Sequence, residues 1–217
     1  MKQQWQDLLF LHWEIPIDEI LPYIPSPLEP DLYEGKAYIG LVPFFMHGLT
    51  GRYCPTISSL SNFPEFNVRT YVTYKGKPGV FFLSLDVSNK VAVWIANKMF
   101  RLPYRHASLN CDRQGKDIHY HSQFSPSEEF EIVYQKGSRL TLEKDSFLSW
   151  ATERYCLYTS HHERLIRGEI HHPAWELFDA SYELLKNSML DRFNIGASQP
   201  VAFSPQMDVV VYPMEWV

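Results

Sequence analysis

Residues 65–72 read Glu65-Phe66-Asn67-Val68-Arg69-Thr70-Tyr71-Val72, a stretch that alternates polar with apolar side chains. Successive side chains on a strand point to opposite faces, so Glu65, Asn67, Arg69 and Tyr71 share one face while Phe66, Val68 and Val72 share the other. One face thus gathers a carboxyl, a carboxamide, a guanidinium and a phenol. Turned to water, it is the outside of a half-buried strand. Turned inward, it lines a pocket in which Glu65 serves as an acid or base, Arg69 grips an anion, and Asn67 and Tyr71 add hydrogen bonds.

A second group lies in Leu102-Pro103-Tyr104-Arg105-His106-Ala107. Extended backbone places Tyr104 and His106 on one face and Arg105 on the other. The imidazole is an acid or base near neutral pH, the phenol a donor to a substrate oxygen, and Arg105 a second anion ligand. The competing reading is a hydrogen-bonded core tyrosine and a surface histidine. A third group, Arg167-Gly168-Glu169-Ile170-His171, faces Glu153-Arg154-Tyr155 across an expected hairpin and reads as an ion-pair ladder. His119 and His121 share a strand face, but no carboxylate stands at a ligand spacing, so neither a metal nor a cofactor is expected. Phosphate-binding glycine loops, the Gly-x-Ser-x-Gly elbow and a cysteine nucleophile with partners are all missing.

Strand-like runs at 8–14, 36–45, 65–75 and 79–87, then 102–110, 116–124, 130–135, 154–159, 164–171, 175–184 and 208–212, surround these groups. The clearest hairpin turns at Lys75-Gly76-Lys77-Pro78-Gly79. Its second strand is apolar on both faces from Val80 to Leu85, as a central strand should be, and a polar stripe beside it then faces an enclosed space. Ser88 is the expected N-cap of a three-turn helix ending near Phe100, Asp145 that of a short helix through Trp150, and Ile17 to Tyr23 allow one more short helix. Residues 47–64 read as a long loop. Hairpin spacing predicts a β-rich α+β fold, antiparallel and curled into a cone or barrel with a few flanking helices, as one domain over residues 1–217.

Of 217 residues, 45% are apolar, and the net charge is −5 with no basic run. Nucleic acid is therefore not an expected partner. No apolar run approaches the ~20 residues that span a bilayer, and no leader pattern opens the chain, so the expectation is a soluble cytoplasmic protein without a membrane partner. Cys54, Cys111 and Cys156 suggest neither a disulfide framework nor a zinc knuckle. Association into a homo-oligomer is compatible with this composition.

Trp5-x-x-Leu8-x-Phe10-x-His12-Trp13, Phe63-Pro64-Glu65-x-Asn67-Val68-Arg69-Thr70-Tyr71, Pro78-Gly79-Val80-x-Phe82, Leu102-Pro103-Tyr104-x-x-Ala107 and Arg167-Gly168-Glu169-Ile170-x-His172-x-x-Trp175 together resemble the YqjF-like family, domain of unknown function 2071. That family looks like a distant relative of acetoacetate decarboxylase, which implies an antiparallel cone or barrel around a polar site. The decarboxylase motif carries a Schiff-base lysine followed by a second lysine that lowers its pKa. Here the matching stretch is Arg101-Leu102-Pro103-Tyr104-Arg105, and a phenol forms no imine. Lys98, one turn earlier, is expected to reach for solvent.

The resulting expectation is an enclosed pocket for a small carboxylate- or carbonyl-bearing metabolite, with Glu65, Tyr104 and His106 as catalytic candidates and Asn67, Arg69, Tyr71 and Arg105 as ligand contacts. Any chemistry would be that of a lyase or hydrolase without a Schiff base. The alternative is a non-catalytic structural or interaction protein whose packed barrel buries a Glu65–Arg69 ion pair.

Overall fold

The structure, a computed structural model, describes residues 1–50 and 61–217. In chain order the strands are β1 (Lys2–Ile15), β2 (Glu29–Pro30), β3 (Ala37–Thr50), β4 (Phe63–Tyr74), β5 (Lys77–Val87), β6 (Tyr104–His106), β7 (Ser108–Gln114), β8 (Asp117–Ser125), β9 (Glu128–Arg139), β10 (Cys156–His161), β11 (Arg164–His171), β12 (Phe178–Asn187), β13 (Ala202–Val211) and β14 (Glu215–Trp216). They pair in the order β14-β11-β10-β5-β4-β3-β1-β13-β12-β9-β8-β7. Strand β13 also pairs with β11 at Ile170↔Val211, so the path from β11 through β5, β4 and β1 returns to its start.

The sheet is mixed, which corrects the expectation of a purely antiparallel one. β5 runs parallel to β6 and to β10. The first of these follows from its connection: the helix Lys90–Phe100 doubles the chain back far enough for Tyr104–His106 to run alongside Leu85–Val87, the last three residues of β5. The strand expected at 102–110 is split at Ala107 by a change of partner. Tyr104–His106 pair with β5, whereas Ser108–Gln114 pair with β8. The expected loop at 47–64 is shortened at both ends, by β3 reaching Thr50 and β4 starting at Phe63, and the rest of it falls mainly outside the described residues.

The β4–β5 hairpin forms where expected but with a tighter turn. Tyr74 pairs with Lys77, leaving Lys75 and Gly76 at φ 50° and 75°, the left-handed pair that a two-residue turn demands. Two irregularities then aim side chains. Arg69 pairs with Phe82 directly after Val68 pairs with Ser84, so Leu83 is an extra residue on β5. Phe82 and Leu85 therefore lie on one face although they are three apart, and Leu83 turns into the opposite core. On β1, Asp7 takes φ 54° beside a register shift, and Trp5 and Leu8 come to share a face in the same way.

Both faces of β4 are buried. Phe66 and Val68 pack with Tyr120, Phe130 and Ile132 in the larger apolar cluster, beneath the outer strands β8 and β9. Glu65 and Asn67, on the other face, are only 3% and 7% exposed. Burial on both sides settles the choice left open by alternation alone: the polar stripe is an interior wall.

Asn89, rather than Ser88, caps the helix Lys90–Phe100, its side chain accepting from the backbone N–H groups of Val91 and Ala92 at 2.9 and 3.1 Å. Ser146, rather than Asp145, caps the helix Phe147–Thr152. The longer helix fully buries none of its residues and leaves Val91, Trp94 and Met99 more than half exposed, so the expected apolar stripe is not the face it packs; Val93 and Phe100 make its apolar contacts with the core instead. Its contribution lies at the C-terminal end, where the Asn97 carboxamide bonds both the backbone N–H and the carbonyl of Tyr104 at 3.0 and 3.1 Å. That two-point clamp fixes the backbone from which Tyr104 projects.

Candidate functional site

A cavity of about 90 Å³ lies within the strand circuit. This is well below the ~300 Å³ typical of sites for drug-sized ligands, so only a compact molecule fits. Glu65, Asn67 and Arg69 enter it from β4, Tyr104 from β6, and Arg154 and His172 from the segments just before β10 and just after β11. Trp5, Phe44, Met46, Trp175 and Met214 supply an apolar portion of the wall.

Glu65 and Arg69 do not form the ion pair of the packed-barrel alternative. Glu65 instead bonds the Tyr104 hydroxyl, and its Oε2 has no partner among the described residues. Burial pushes the Glu65 carboxyl up to about 8, a trend that the Tyr104 bond opposes and the Asp86 carboxylate on β5 reinforces. The group is therefore a neutral acid at pH 7. With Tyr104 donating to one oxygen, the free Oε2 is where the acid proton can be offered to the cavity. Tyr104 is itself held well above the usual phenol range by burial and by the Glu65 carboxyl beside it, so it stays protonated.

Arg69 reaches the Tyr71 hydroxyl at 3.3 Å and the Ala151 carbonyl at 3.2 Å through Nη2, while its Nε has no partner among the described residues. Among the described residues it meets no carboxylate. Arg154, 5% exposed, bonds Asp31 through Nη1 and the Trp150 carbonyl through Nε at 2.6 Å, and its buried Nη2 is unpartnered among the described residues. The two guanidinium carbons sit 5.6 and 5.0 Å from the Tyr71 ring centroid. Among the described residues, buried Arg154 and half-buried Arg69 are thus balanced by the one carboxylate of Asp31, since Glu65 is neutral. The wall carries surplus positive charge and free donors.

Tyr71 falls behind this wall rather than in it. Its ring packs at a 45° tilt, 4.4 Å from Trp150 of the helix Phe147–Thr152, which closes that end of the stripe, and its hydroxyl meets His12 Nε2 at 2.6 Å. The expected ligand contact is a support for Arg69. Burial, with the Arg69 charge second, holds His12 well below its usual value, so the ring is neutral. Gly40 makes room for it, since a Cβ there would lie 3.0 Å from His12 Cδ2 and 3.5 Å from Arg69 Cγ.

The second sequence group divides. Tyr104 lines the cavity, but the three-residue β6 ends at His106, which is exposed and outside the wall, so it is not placed to act as a catalytic group there. Arg105 points to the opposite face, as alternation requires. It forks onto Asp86 at 2.7 and 2.9 Å and reaches Glu128 at 2.9 Å, leaving it committed to protein carboxylates rather than to a ligand in the cavity. Lys98 stands on the exposed helix with Nζ 4.8 Å from the Trp94 ring centroid. The third group is a surface ladder, with Glu169 shared between Lys77 and Arg167, except that Arg154 turns inward.

Arg154 and His172 are the cavity residues that sequence reasoning did not select. His172 is 2% exposed, places Nδ1 2.8 Å from the Pro173 carbonyl and stacks on Tyr155, and its Nε2 has no partner among the described residues. Thirteen buried side-chain polar atoms lack a partner among the described residues, and those of Trp5, Glu65, Asn67, Arg69, Arg154 and His172 all belong to residues lining this one cavity. Buried polar atoms are normally satisfied, so their concentration marks a place made for polar company.

A strand-rich mixed sheet that lines a polar cavity, with the Pro-Tyr-Arg segment after the helix, defines the class: the fold is that of the acetoacetate decarboxylase-like proteins. The acetoacetate decarboxylase of Legionella pneumophila superposes over 100% of this chain and 86% of its own with a TM-score of 0.71 at 12% identity. The enduracididine biosynthesis enzyme MppR, complexed with pyruvate, does so over 99% and 89% with a TM-score of 0.70 at 10% identity. At such identities the likeness is one of fold. More narrowly, residues 2–211 match the DUF2071 family model, described as an uncharacterized conserved protein, and the chain belongs to that family. It is 40% identical to the uncharacterized protein YqjF of Bacillus subtilis (strain 168), over 99% of this chain and 91% of that one.

Proposed function

We infer that the cavity binds a small monoanionic metabolite bearing a carboxylate and a second oxygen function, such as an oxo or hydroxy acid. The observation that carries this reading is the pair of guanidinium groups, Arg69 and Arg154, set against the single carboxylate of Asp31, each keeping an unused buried donor. An entering carboxylate would supply the missing charge and accept those donors, exchanging an uncompensated buried cation for a charge-assisted pair. Neutral Glu65 would donate to the second oxygen, which a carboxylate in its place would repel. The apolar side of the cavity would hold a short aliphatic end. In this reading the strand circuit is a closed barrel and the protein works in the cytoplasm, where the free thiols Cys111 and Cys156 persist. Pyruvate, present in the MppR structure, is a natural probe.

In a thermal-shift screen over small carboxylic, oxo and hydroxy acids, a ligand at ~100 times its dissociation constant should add about 2.7 kcal/mol, a rise of several degrees for a chain of this size. Arg69→Met should abolish that rise while leaving the unliganded melting temperature near the wild-type value. A rise preserved in the variant would remove Arg69 from the site, and none with any acid would return the field to the packed, non-catalytic alternative.

A further inference from the structure

His172 lies outside every sequence-derived candidate, yet its geometry is that of a prepared base. A carbonyl oxygen can only accept, so the 2.8 Å contact to Pro173 places a hydrogen on Nδ1. In the neutral ring the lone pair then sits on Nε2, the nitrogen that is buried and unpartnered in a residue lining the cavity. The ring cannot easily turn away, being stacked at 4.5 Å on Tyr155 and packed at 5.0 Å against Trp175, whose indole N–H is tied to the Thr152 carbonyl at 2.7 Å. Orientation by a hydrogen bond on the far nitrogen is the arrangement by which a third group aims a catalytic histidine. The same cavity holds an acid with a free oxygen, Glu65, and a phenol donor, Tyr104.

We propose that His172 Nε2 is a catalytic base that removes a proton from the carbon next to the carbonyl of an oxo acid held by Arg69 and Arg154, with Glu65 protonating the carbonyl oxygen. The inference rests on the small-anion reading of the cavity. Nε2 takes the hydrogen, the C–H electron pair becomes the new C=C bond, and the carbonyl π pair moves to oxygen, which takes the Glu65 proton. The products are the enol, an imidazolium and a Glu65 carboxylate, with atoms and charge conserved. Reversal returns a hydrogen to carbon from His172 and a proton from the enol hydroxyl to Glu65. Such proton transfer needs no lysine nucleophile, and Tyr104 at the lysine position is compatible with it.

The test follows hydrogen exchange on pyruvate and 2-oxobutanoate in D2O by proton NMR, with binding of the same acids measured in parallel. Wild type should exchange deuterium into the position beside the carbonyl well above the buffer rate. His172→Asn keeps a donor for the Pro173 carbonyl but removes the base, so it should bind with an unchanged dissociation constant and exchange at least about 100-fold more slowly. His172→Gln, which keeps polarity near the Nε2 position, serves as a second variant should the first fold poorly, with the same expectation. Binding by wild type without exchange would overturn the base assignment and leave the anion site standing, as would exchange undiminished in either variant. Failure of wild type to bind either acid would overturn both.

Discussion

Glu65→Gln is expected to stabilise the protein by about 4 kcal/mol at pH 8 and by almost nothing near pH 4.5. The Glu65 carboxyl ordinarily titrates at 4.5 and is pushed up to about 8 in the folded protein, chiefly by burial. Between those values the unfolded chain has released this proton and the folded chain retains it. Folding therefore takes up a proton, and the stabilisation that Glu65 contributes at low pH is lost progressively as pH rises through the window, at about 1.4 kcal/mol per unit. Glutamine presents the same shape to the Tyr104 hydroxyl and does not titrate. Thermal unfolding of both proteins from pH 4.5 to 8 should give melting temperatures that converge at the acid end and separate by about ten degrees at the alkaline end. Parallel curves would show that Glu65 ionises normally, and the neutral donor at the cavity would be lost.

The two arginines should respond in opposite ways, although both line the cavity. Arg154→Ala breaks the pair with Asp31, removes the bond to the Trp150 carbonyl and empties the space beside the Tyr71 and Trp150 rings, where its guanidinium carbon lies 5.0 and 4.6 Å from the centroids. Removing one partner of a buried pair typically costs 3–5 kcal/mol, and because Asp31 keeps 22% side-chain exposure the lower end, about 3 kcal/mol, is expected. Adding Asp31→Asn should recover part of that loss. Arg69 has no carboxylate to abandon, so Arg69→Met should stay within about 1 kcal/mol of wild type while losing anion affinity by more than tenfold. Urea midpoints and ligand titration on the same samples separate the two effects. Equal destabilisation by both substitutions would mean that Arg69 is held by a structural charge after all.

The polar wall was legible because β4 alternates without interruption from Glu65 to Tyr71, and period two needs no knowledge of the partner strands. The same rule sets Tyr104 and Arg105 on opposite faces. It failed where backbone irregularity or element length decides the outcome. His106 is in phase with Tyr104, but β6 is too short to carry it to the wall. Tyr71 is in phase with Arg69, but the helix Phe147–Thr152 covers its ring. Leu83 and Asp7 reverse the parity of β5 and β1 at positions that hydrophobic pattern does not mark. Arg154 and His172 flank strands rather than sit within them, so no periodicity assigns them a face, and only the long-range pairings of β10 with β5 and of β11 with β13 bring them to the cavity. The parallel pairing of β5 with β10 escaped for the same reason, being settled by where distant segments meet rather than by local turns.

Charge recognition by the cavity is tested most directly by calorimetric titration of 2-oxobutanoate against its methyl ester at pH 6.5, where Glu65 is protonated in the folded protein. The two molecules share the oxo group and the short apolar end and differ in the negative charge that Arg69 and Arg154 are positioned to receive. The acid should bind the wild type measurably and the ester at least tenfold more weakly. An ester that binds as well as the acid, or an acid that does not bind, would contradict an anion site in this cavity.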